Sequence, residues 1–238
     1  MDVAPINEIA SQSLIEFSLS STNFEYLDLS QMFLYVLAKV TKPDFKTGYE
    51  VEGKDAVDVG LTNNSLHSLF SSVSLFLNHE SVSTSTGENL YPYKAMLLSL
   101  LQYDKQGLED GPAVQGAEFV WDQAGKMDDS DNSGHQARKK WTAKGAGKEL
   151  FGRLFLDMCH QERLLLPGVD VRLKLARTKP QFVIFYPTAA GTEKPQAIIE
   201  KATLYVRKVR IQPEIRLEHE RSMASGLPAL YPIDQVEC

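Results

Sequence analysis

Cysteine is scarce in this sequence, with only Cys159 and Cys238 among 238 residues. The two thiols form no Cys-x-x-Cys motif and cannot build the disulfide framework that holds small secreted modules together. No apolar run approaches the ~20 residues needed to cross a bilayer. Residues 1–5 have neither the basic start nor the apolar core of a signal peptide. We therefore expect a soluble protein of a reducing compartment that makes no membrane contact.

Positive charge is also in deficit, because 25 Lys and Arg against 31 Asp and Glu leave a net charge of −6. Sequence-independent binding of nucleic acid depends on clustered Lys and Arg, so we expect no specific nucleic-acid binding. The one basic cluster runs from Arg138 to Trp141 and continues at Lys144 and Lys148. Its tryptophan could stack on a base. We interpret the cluster instead as a solvated loop or a contact with an acidic neighbour.

No assembled active site is visible. The five histidines are scattered and form no His-x-His pair: His67, His79, His135, His160 and His219. The sequence has neither a glycine-rich phosphate loop nor a Gly-x-Ser-x-Gly elbow. Cys159 and His160 are adjacent, but neighbours along a strand point to opposite faces. We expect no enzyme and no cofactor.

Residues 128–134 resemble the start of a calcium loop, because oxygen-bearing side chains precede Gly134 at alternate positions. Counted from Asp129, the position that needs a bidentate Glu is Lys140. This departure favours a solvated acidic loop, and no metal site is predicted.

The clearest positive signal lies between Gly152 and Arg177. Apolar and charged residues alternate over residues 169–175, which is the period of a strand with one wet face. Apolar residues repeat the pattern at alternate positions over residues 154–158, and Pro167 and Gly168 supply a turn between the two runs. The pattern predicts two antiparallel strands, over residues 150–158 and 169–176.

Further strands are predicted near residues 14–17, 32–40, 73–77, 182–186 and 198–211. In the run 32–40 both faces are apolar, with Phe33, Tyr35 and Leu37 opposite Met32 and its alternate neighbours. Such a pattern indicates a strand that is covered on both sides.

Short helices are predicted in the connections. Capping side chains at residues 62–65 precede a turn or two of helix at 66–70, and Pro92 begins a second helix that continues to about Gln102. A charged helix is expected over residues 214–224. Residues 107–147 are polar and glycine-rich, with only residues 119–121 able to dock firmly, so we expect a long mobile loop.

These elements predict an all-β fold, an antiparallel eight-stranded jelly-roll sandwich with one or two short helices in the connections. Periodicity alone does not separate a jelly roll from another Greek-key sandwich. We divide the chain into an N-terminal arm (1–12), a jelly-roll domain (13–212) and a helix and linker (213–238).

Five segments together resemble a known family: residues 66–78, 91–95, 152–175, 202–210 and 229–233. They resemble the major capsid protein of Polinton (Maverick) elements and the related adintoviruses, DNA elements of animal genomes that encode virus-like structural proteins. The resemblance runs from about Leu14 to Cys238 with the segments in family order. It is the set, rather than any single segment, that is specific.

The resemblance implies a double jelly roll, in which two sandwiches stand side by side and three chains form a pseudo-hexagonal capsomer. This chain covers the first sandwich, so residues 213–238 would lead toward a second jelly roll that is absent here. The implied partners are further copies in a homotrimer and shell and a minor capsid (penton) protein. The implied location is the virion, with assembly in the cytoplasm or nucleus. The candidate assembly contacts are Phe119, Trp121, Trp141 and Arg172.

Two other function classes stay open. A carbohydrate- or ligand-binding jelly roll would gather aromatic and acidic residues at one loop edge, and Trp121, Asp122 and Trp141 are its candidates. A jelly-roll enzyme would need metal ligands, for which the sequence has no His pair.

Overall fold

The computed structural model describes residues 1–9, 13–22, 24–50, 52, 57–83, 90–103, 119–126, 129, 131–186 and 194–233. In chain order the strands are β1 (Asp2–Val3), β2 (Leu14–Leu19), β3 (Tyr26–Thr41), β4 (Gly60–Leu61), β5 (Phe70–Leu77), β6 (Glu80–Ser81), β7 (Lys148–Arg153), β8 (Val171–Arg177), β9 (Ile184–Phe185) and β10 (Gln196–Val209). The helices are α1 (Ser65–Ser68), α2 (Leu90–Gln102), α3 (Ser133–Trp141), α4 (Pro180–Val183) and α5 (Pro213–Ala224).

Two antiparallel sheets of four strands enclose one hydrophobic core. Sheet A has the strand order β1-β10-β3-β7, and sheet B has the order β2-β8-β5-β6. Strands β4 and β9 form a separate two-stranded ribbon. The inner side chains of both sheets, such as Leu34 and Val36 of sheet A and Phe17 and Leu173 of sheet B, belong to the same buried cluster. Burying each of them contributes about 1.5–3 kcal/mol.

Strand β8 confirms the alternation predicted for its sequence. Val171, Leu173 and Leu175 are fully buried, while Arg172 between them is exposed. The predicted turn before this strand is also present, and Gly168 adopts a positive φ of 79° there, which a glycine reaches without steric cost.

Strand β3 is longer than predicted, and it is fully covered on one face only. Met32 and Leu34 are buried on the inner face. Phe33, Tyr35 and Leu37 on the outer face are only half-buried. The expectation of a strand covered on both sides is therefore wrong within this chain.

The strand predicted over residues 150–158 is confirmed over residues 150–153 and wrong over residues 154–158. Strand β7 ends at Arg153, and Asp157–Cys159 form a 3-10 turn in which the Cys159 N–H donates to the Leu156 carbonyl at 2.8 Å. Leu154, Leu156 and Met158 are nonetheless buried. These three side chains reach the core at alternate positions although residues 154–158 do not belong to a β-strand. Their periodicity is therefore the same as that of a strand.

The strand predicted over residues 182–186 is present only in part, because residues 182 and 183 end a short helix. Helix α4 starts at Pro180, which suits the first helical position because it has no N–H to satisfy, and only Ile184–Phe185 pair as β9.

The long loop predicted over residues 107–147 contains a helix. Residues 107–118, 127, 128 and 130 lie outside the described residues, but Ser133–Trp141 form α3. The prediction missed this helix because its buried face carries His135 and Arg138 instead of apolar residues.

The start of the predicted N-terminal arm extends sheet A. Asp2 and Val3 pair with Tyr205 and Leu204, and the terminal ammonium of Met1 donates to the Val206 carbonyl at 3.0 Å. The division of the chain into an arm, a domain and a linker otherwise stays a prediction.

The helices predicted near Pro92 and after Pro213 are confirmed as α2 and α5. Helix α1 is also present, but its N-cap residue Asn64 is left-handed and makes no side-chain cap. Among the described residues, no helix has the length and apolar content that spanning a bilayer requires.

Candidate assembly surfaces

Residues 119–123 are fixed to the body of the protein by Arg138 of α3. This side chain is 5% exposed; its Nε donates to the Leu61 carbonyl at 3.0 Å, and a second nitrogen donates to the Val120 carbonyl at 3.2 Å. The third nitrogen lies 2.9 Å from Oδ1 of Asp122. Asn63 adds a matched pair of hydrogen bonds to the Val120 backbone, at 2.7 and 3.1 Å. These partners compensate for the burial of a charged guanidinium.

Asn132 joins the same segment to the start of α3. Its side chain is fully buried, and its Oδ1 accepts from the Gly134 N–H at 3.1 Å, which caps the helix. The same oxygen accepts from the Gln123 N–H at 3.2 Å, while Nδ2 donates to Asp122 at 2.9 Å. The oxygen-rich segment that resembled a calcium loop thus contributes a helix cap.

The buried face of α3 also contacts Asp58. His135 places Nε2 at 2.9 Å and Lys139 places Nζ at 3.5 Å from the same carboxylate oxygen. Burial lowers the pKa of His135, and the nearby Asp58 opposes this effect only in part. Two of the cations in the predicted basic cluster, Arg138 and Lys139, therefore serve to dock the helix.

Of the four candidate contact residues, two lie in the docked segment. Phe119 is a core residue at 4% exposure, and its ring centroid lies 5.2 Å from that of Trp121 in an edge-on arrangement. Trp121 is 38% exposed. The buried Phe119 ring thus packs against the inner side of Trp121, and Trp121 faces outward.

The other two candidate residues lie elsewhere. Trp141 ends α3, half-buried, with the Lys148 ammonium 4.6 Å from its ring centroid. Arg172 projects from the outer face of sheet B, beside the Lys174–Glu16 ion pair of 3.2 Å. The four residues therefore lie on three separate elements.

The outer face of sheet A carries a group of aromatic and charged side chains that the sequence analysis only partly identified. Strand pairing aligns them in three rungs across β10, β3 and β7: Tyr205–Phe33–Arg153, Thr203–Tyr35–Phe151 and Lys201–Leu37–Glu149. We call this surface the aromatic face. Only the contribution of β3 was visible in the sequence, because pairing between distant strands decides the rest.

Ring contacts hold the aromatic face together. The Phe33 and Phe151 rings stack at 5.1 Å with 9° between their planes, and Tyr205 meets Phe151 at 6.0 Å. The guanidinium of Arg153 lies 5.4 Å from the Phe33 centroid. The Tyr35 hydroxyl donates to Glu149 at 2.9 Å. The face is thus apolar at its centre and carries charged side chains at its margins.

Helix α5 and the segment after it border a cleft of about 420 Å³. The Tyr26 hydroxyl and Nδ1 of His219 lie 3.0 Å apart on its wall. No residue of α5 is buried, and Ile215, Leu217 and Met223 are each more than 40% exposed.

Two titratable groups, His67 and Cys159, are buried inside the protein. Complete burial lowers the pKa of His67 to about 3, and its Nδ1 lies 2.9 Å from the Tyr91 hydroxyl, which accepts from the Phe155 N–H at 3.4 Å. Burial raises the pKa of the Cys159 thiol to about 12, which disfavours the nucleophilic thiolate. Among the described residues, no group of three or more His, Cys, Asp or Glu is placed to hold a metal ion.

No known protein family and no curated protein matches this sequence. Several solved structures do match. A chain of the Sputnik virophage gives a TM-score of 0.57 at 10% identity, over 90% of this chain and 48% of that chain. The Faustovirus major capsid protein gives 0.57 at 9% identity, over 94% of this chain and 56% of that chain. The mavirus major capsid protein gives 0.49 at 13% identity, over 90% of this chain and 47% of that chain.

The chain spans about half the length of the chains that it matches. The likeness at a TM-score of 0.57 covers nearly the whole chain and confirms the predicted fold class. The number of eight strands stays a prediction, because the described residues form two four-stranded sheets and a further two-stranded ribbon. The chain has the antiparallel jelly-roll fold found in viral capsid proteins.

Proposed function

We propose that this chain is a jelly roll of a capsid structural protein. The single observation that supports this role most is the likeness to the Faustovirus major capsid protein over 94% of the chain. The inert setting of Cys159 is in keeping with a mechanical rather than catalytic role, and the proposal includes no enzymatic activity and no cofactor.

The finer assignment is to a virus-like DNA transposon of the Polinton or Maverick type. It is supported by the five sequence segments that resemble the family, from residue 66 to residue 233. In this assignment the full-length protein carries a second jelly roll and forms trimeric, pseudo-hexagonal capsomers. Helix α5, with its exposed apolar residues, is the connection toward that second sandwich.

The proposed partners are further copies of the protein in the capsomer and shell, together with a minor capsid (penton) protein. The protein would reside in the virion after assembly in the cytoplasm or nucleus. Trp121, Trp141 and Arg172 are the proposed contacts between subunits, and Phe119 acts indirectly by holding Trp121 at the surface. Repeated interfaces of ~1,600 Å² would hold a shell without any single strong contact.

Size analysis tests this proposal. The complete open reading frame that contains these residues is expressed, and the purified protein is followed by light scattering and negative-stain microscopy. We expect trimers and larger shells. Monomers under every condition of salt, pH and concentration would contradict the capsid role.

The alternative of a carbohydrate- or ligand-binding module has weaker support. Its acidic candidate, Asp122, is engaged by Arg138 and Asn132 inside the protein. Sugar hydroxyls would have to displace these partners. Screening the purified chain on a glycan array tests the alternative, and a specific binder would revive it.

A further inference from the structure

We infer that the aromatic face of sheet A is a docking surface for a second copy of this chain, packed sheet against sheet about a two-fold axis parallel to β3. The inference does not depend on a capsid role, because any jelly roll with this face would associate in the same way.

The aromatic face has the composition of a protein interface. Four aromatic rings lie together on it, and Tyr205 is 39% exposed while Phe33, Tyr35 and Phe151 are half-buried. Aromatic residues and arginine are enriched at the centres of protein interfaces, and a contiguous exposed apolar patch is unusual on a monomer. A facing sheet would remove this surface from water.

The outer face of sheet B provides an internal comparison. Its positions on β5 and β8 include Ser72, Ser74, Arg172 and Lys174, with Phe76 as its aromatic residue. Such a face is stable in water. The two outer faces of one sandwich therefore differ, and only sheet A has the composition of a covered surface.

Charge complementarity between the two margins of the face identifies a second copy of the chain as the occupant. The β10 margin of the aromatic face carries Lys201 and Tyr205, and the β7 margin carries Glu149 and Arg153. Rotation by 180° about an axis along β3 exchanges the two margins. Lys201 then faces Glu149 of the second copy, and Tyr205 faces Arg153 of the second copy.

The two-fold axis produces each of these contacts twice, as in an isologous dimer. The result is two ion pairs and two cation–π pairs around a centre in which Phe33, Tyr35 and Leu37 meet their own copies. Within the described residues, neither Lys201 nor Glu149 forms an ion pair in its own chain, and both are exposed. Each contacts Tyr35, whose ring centroid lies 5.9 Å from the Lys201 ammonium and whose hydroxyl donates to Glu149 at 2.9 Å.

The geometry agrees with known sheet packing. The proposed axis leaves the β3 strands of the two copies running in the same direction. Aligned sheets pack about 10 Å apart, with strand directions that stay within roughly 30° of each other. Lysine and glutamate side chains from the two margins can meet across that distance.

Charge reversal tests the inference on the 238-residue chain in reducing buffer, where cysteines cannot link two copies. Sedimentation velocity is used to measure the dimer dissociation constant. We expect the unaltered chain to dimerise at micromolar concentrations. Lys201→Glu and Glu149→Lys should each weaken the dimer by about tenfold or more, because each places like charges opposite one another twice.

A mixture of the two variants provides the sharpest result. Pairing the Lys201→Glu chain with the Glu149→Lys chain restores opposite charges at both contacts, so the mixture should form a one-to-one heterodimer. Lys126→Glu, an equal charge change at an exposed turn residue, is the matched control and should dimerise normally.

Three outcomes would overturn the inference: an unaltered chain that stays monomeric, single variants that dimerise as the unaltered chain does, or a mixture that fails to recover. Circular dichroism of each variant confirms that it is folded. These outcomes are distinct from a failure of the capsid role, since that role is tested on shells of the full-length protein.

Discussion

Arg138 and Asp122 meet at 2.9 Å inside the protein, with side chains that are 5% and 12% exposed. The pair joins α3 to the segment that holds Trp121 at the surface. Both partners have further hydrogen bonds, from Asn132 to Asp122 and from Arg138 to two backbone carbonyls. The position of a proposed subunit contact therefore depends on a buried ion pair.

Replacing Arg138 by methionine should destabilise the protein by about 3–5 kcal/mol, because Asp122 would keep its charge without its cation. Urea denaturation measures the loss. In the double variant Arg138→Met, Asp122→Asn the cost should be smaller than the sum of the single costs. Arg207→Met is the control: Arg207 is 64% exposed and 3.8 Å from Asp28, so we expect about 1 kcal/mol or less. Equal losses for both arginines would contradict this account.

We expect the free energy of unfolding to decrease in acid because His67 is buried. Burial lowers its pKa from 6.5 to about 3, so below pH 6.5 the unfolded chain binds a proton that the folded chain does not. The contribution of His67 is therefore complete above pH 6.5 and is lost as the pH falls toward 3. His67→Asn, which keeps an acceptor for Tyr91, should flatten this acid limb in urea titrations.

The control for that titration is His79→Asn, because His79 is exposed in a turn and its left-handed φ of 74° suits asparagine. We expect its acid limb to match that of the unaltered protein. If His67→Asn leaves the pH dependence unchanged, the buried neutral histidine is not its cause.

Gly48 should not tolerate a methyl group. A Cβ at this position would lie 1.8 Å from the Gly145 backbone nitrogen and 2.2 Å from the carbonyl carbon of Lys144. Because backbone atoms cannot swing aside, Gly48→Ala should cost about 3 kcal/mol or more in thermal unfolding. Gly147→Ala, whose nearest contact is the flexible Leu37 side chain, should cost about 1 kcal/mol or less. A reversed order would contradict the close approach of the two loops.

Reversing the charge of Arg172 tests the proposed contact on sheet B. Arg172→Glu should leave folding intact, because the side chain is exposed and its neighbours in β8 supply the core. Shell yield, measured by sedimentation of full-length particles, should fall. Unchanged assembly would remove Arg172 from the contacts, and dimerisation through the aromatic face should not respond to this change.

The sequence predicts those parts of the fold in which burial follows a simple period. Strand β8 was found because Val171, Leu173 and Leu175 alternate with charged residues, and α5 because residues 214–224 have the composition of a short charged helix. The same spacing gave a wrong prediction at residues 154–158, because side chains can be buried at alternate positions in a segment that is not paired in a sheet.

The candidate site was harder to predict. Helix α3 was hidden because its buried face is polar, with His135 and Arg138 satisfied by Asp58 and Asp122. The aromatic face was visible only as Phe33 and its neighbours on β3. Phe151 and Tyr205 join it through strand pairing over more than 50 residues, which no local pattern specifies.

Cryo-electron microscopy of particles from cells that express the complete open reading frame tests the capsid role most directly. We expect closed shells built of trimeric capsomers, with density into which this jelly roll fits as one of the sandwiches. A full-length protein that is folded yet forms no shell, or shells whose density does not accommodate this jelly roll, would contradict it.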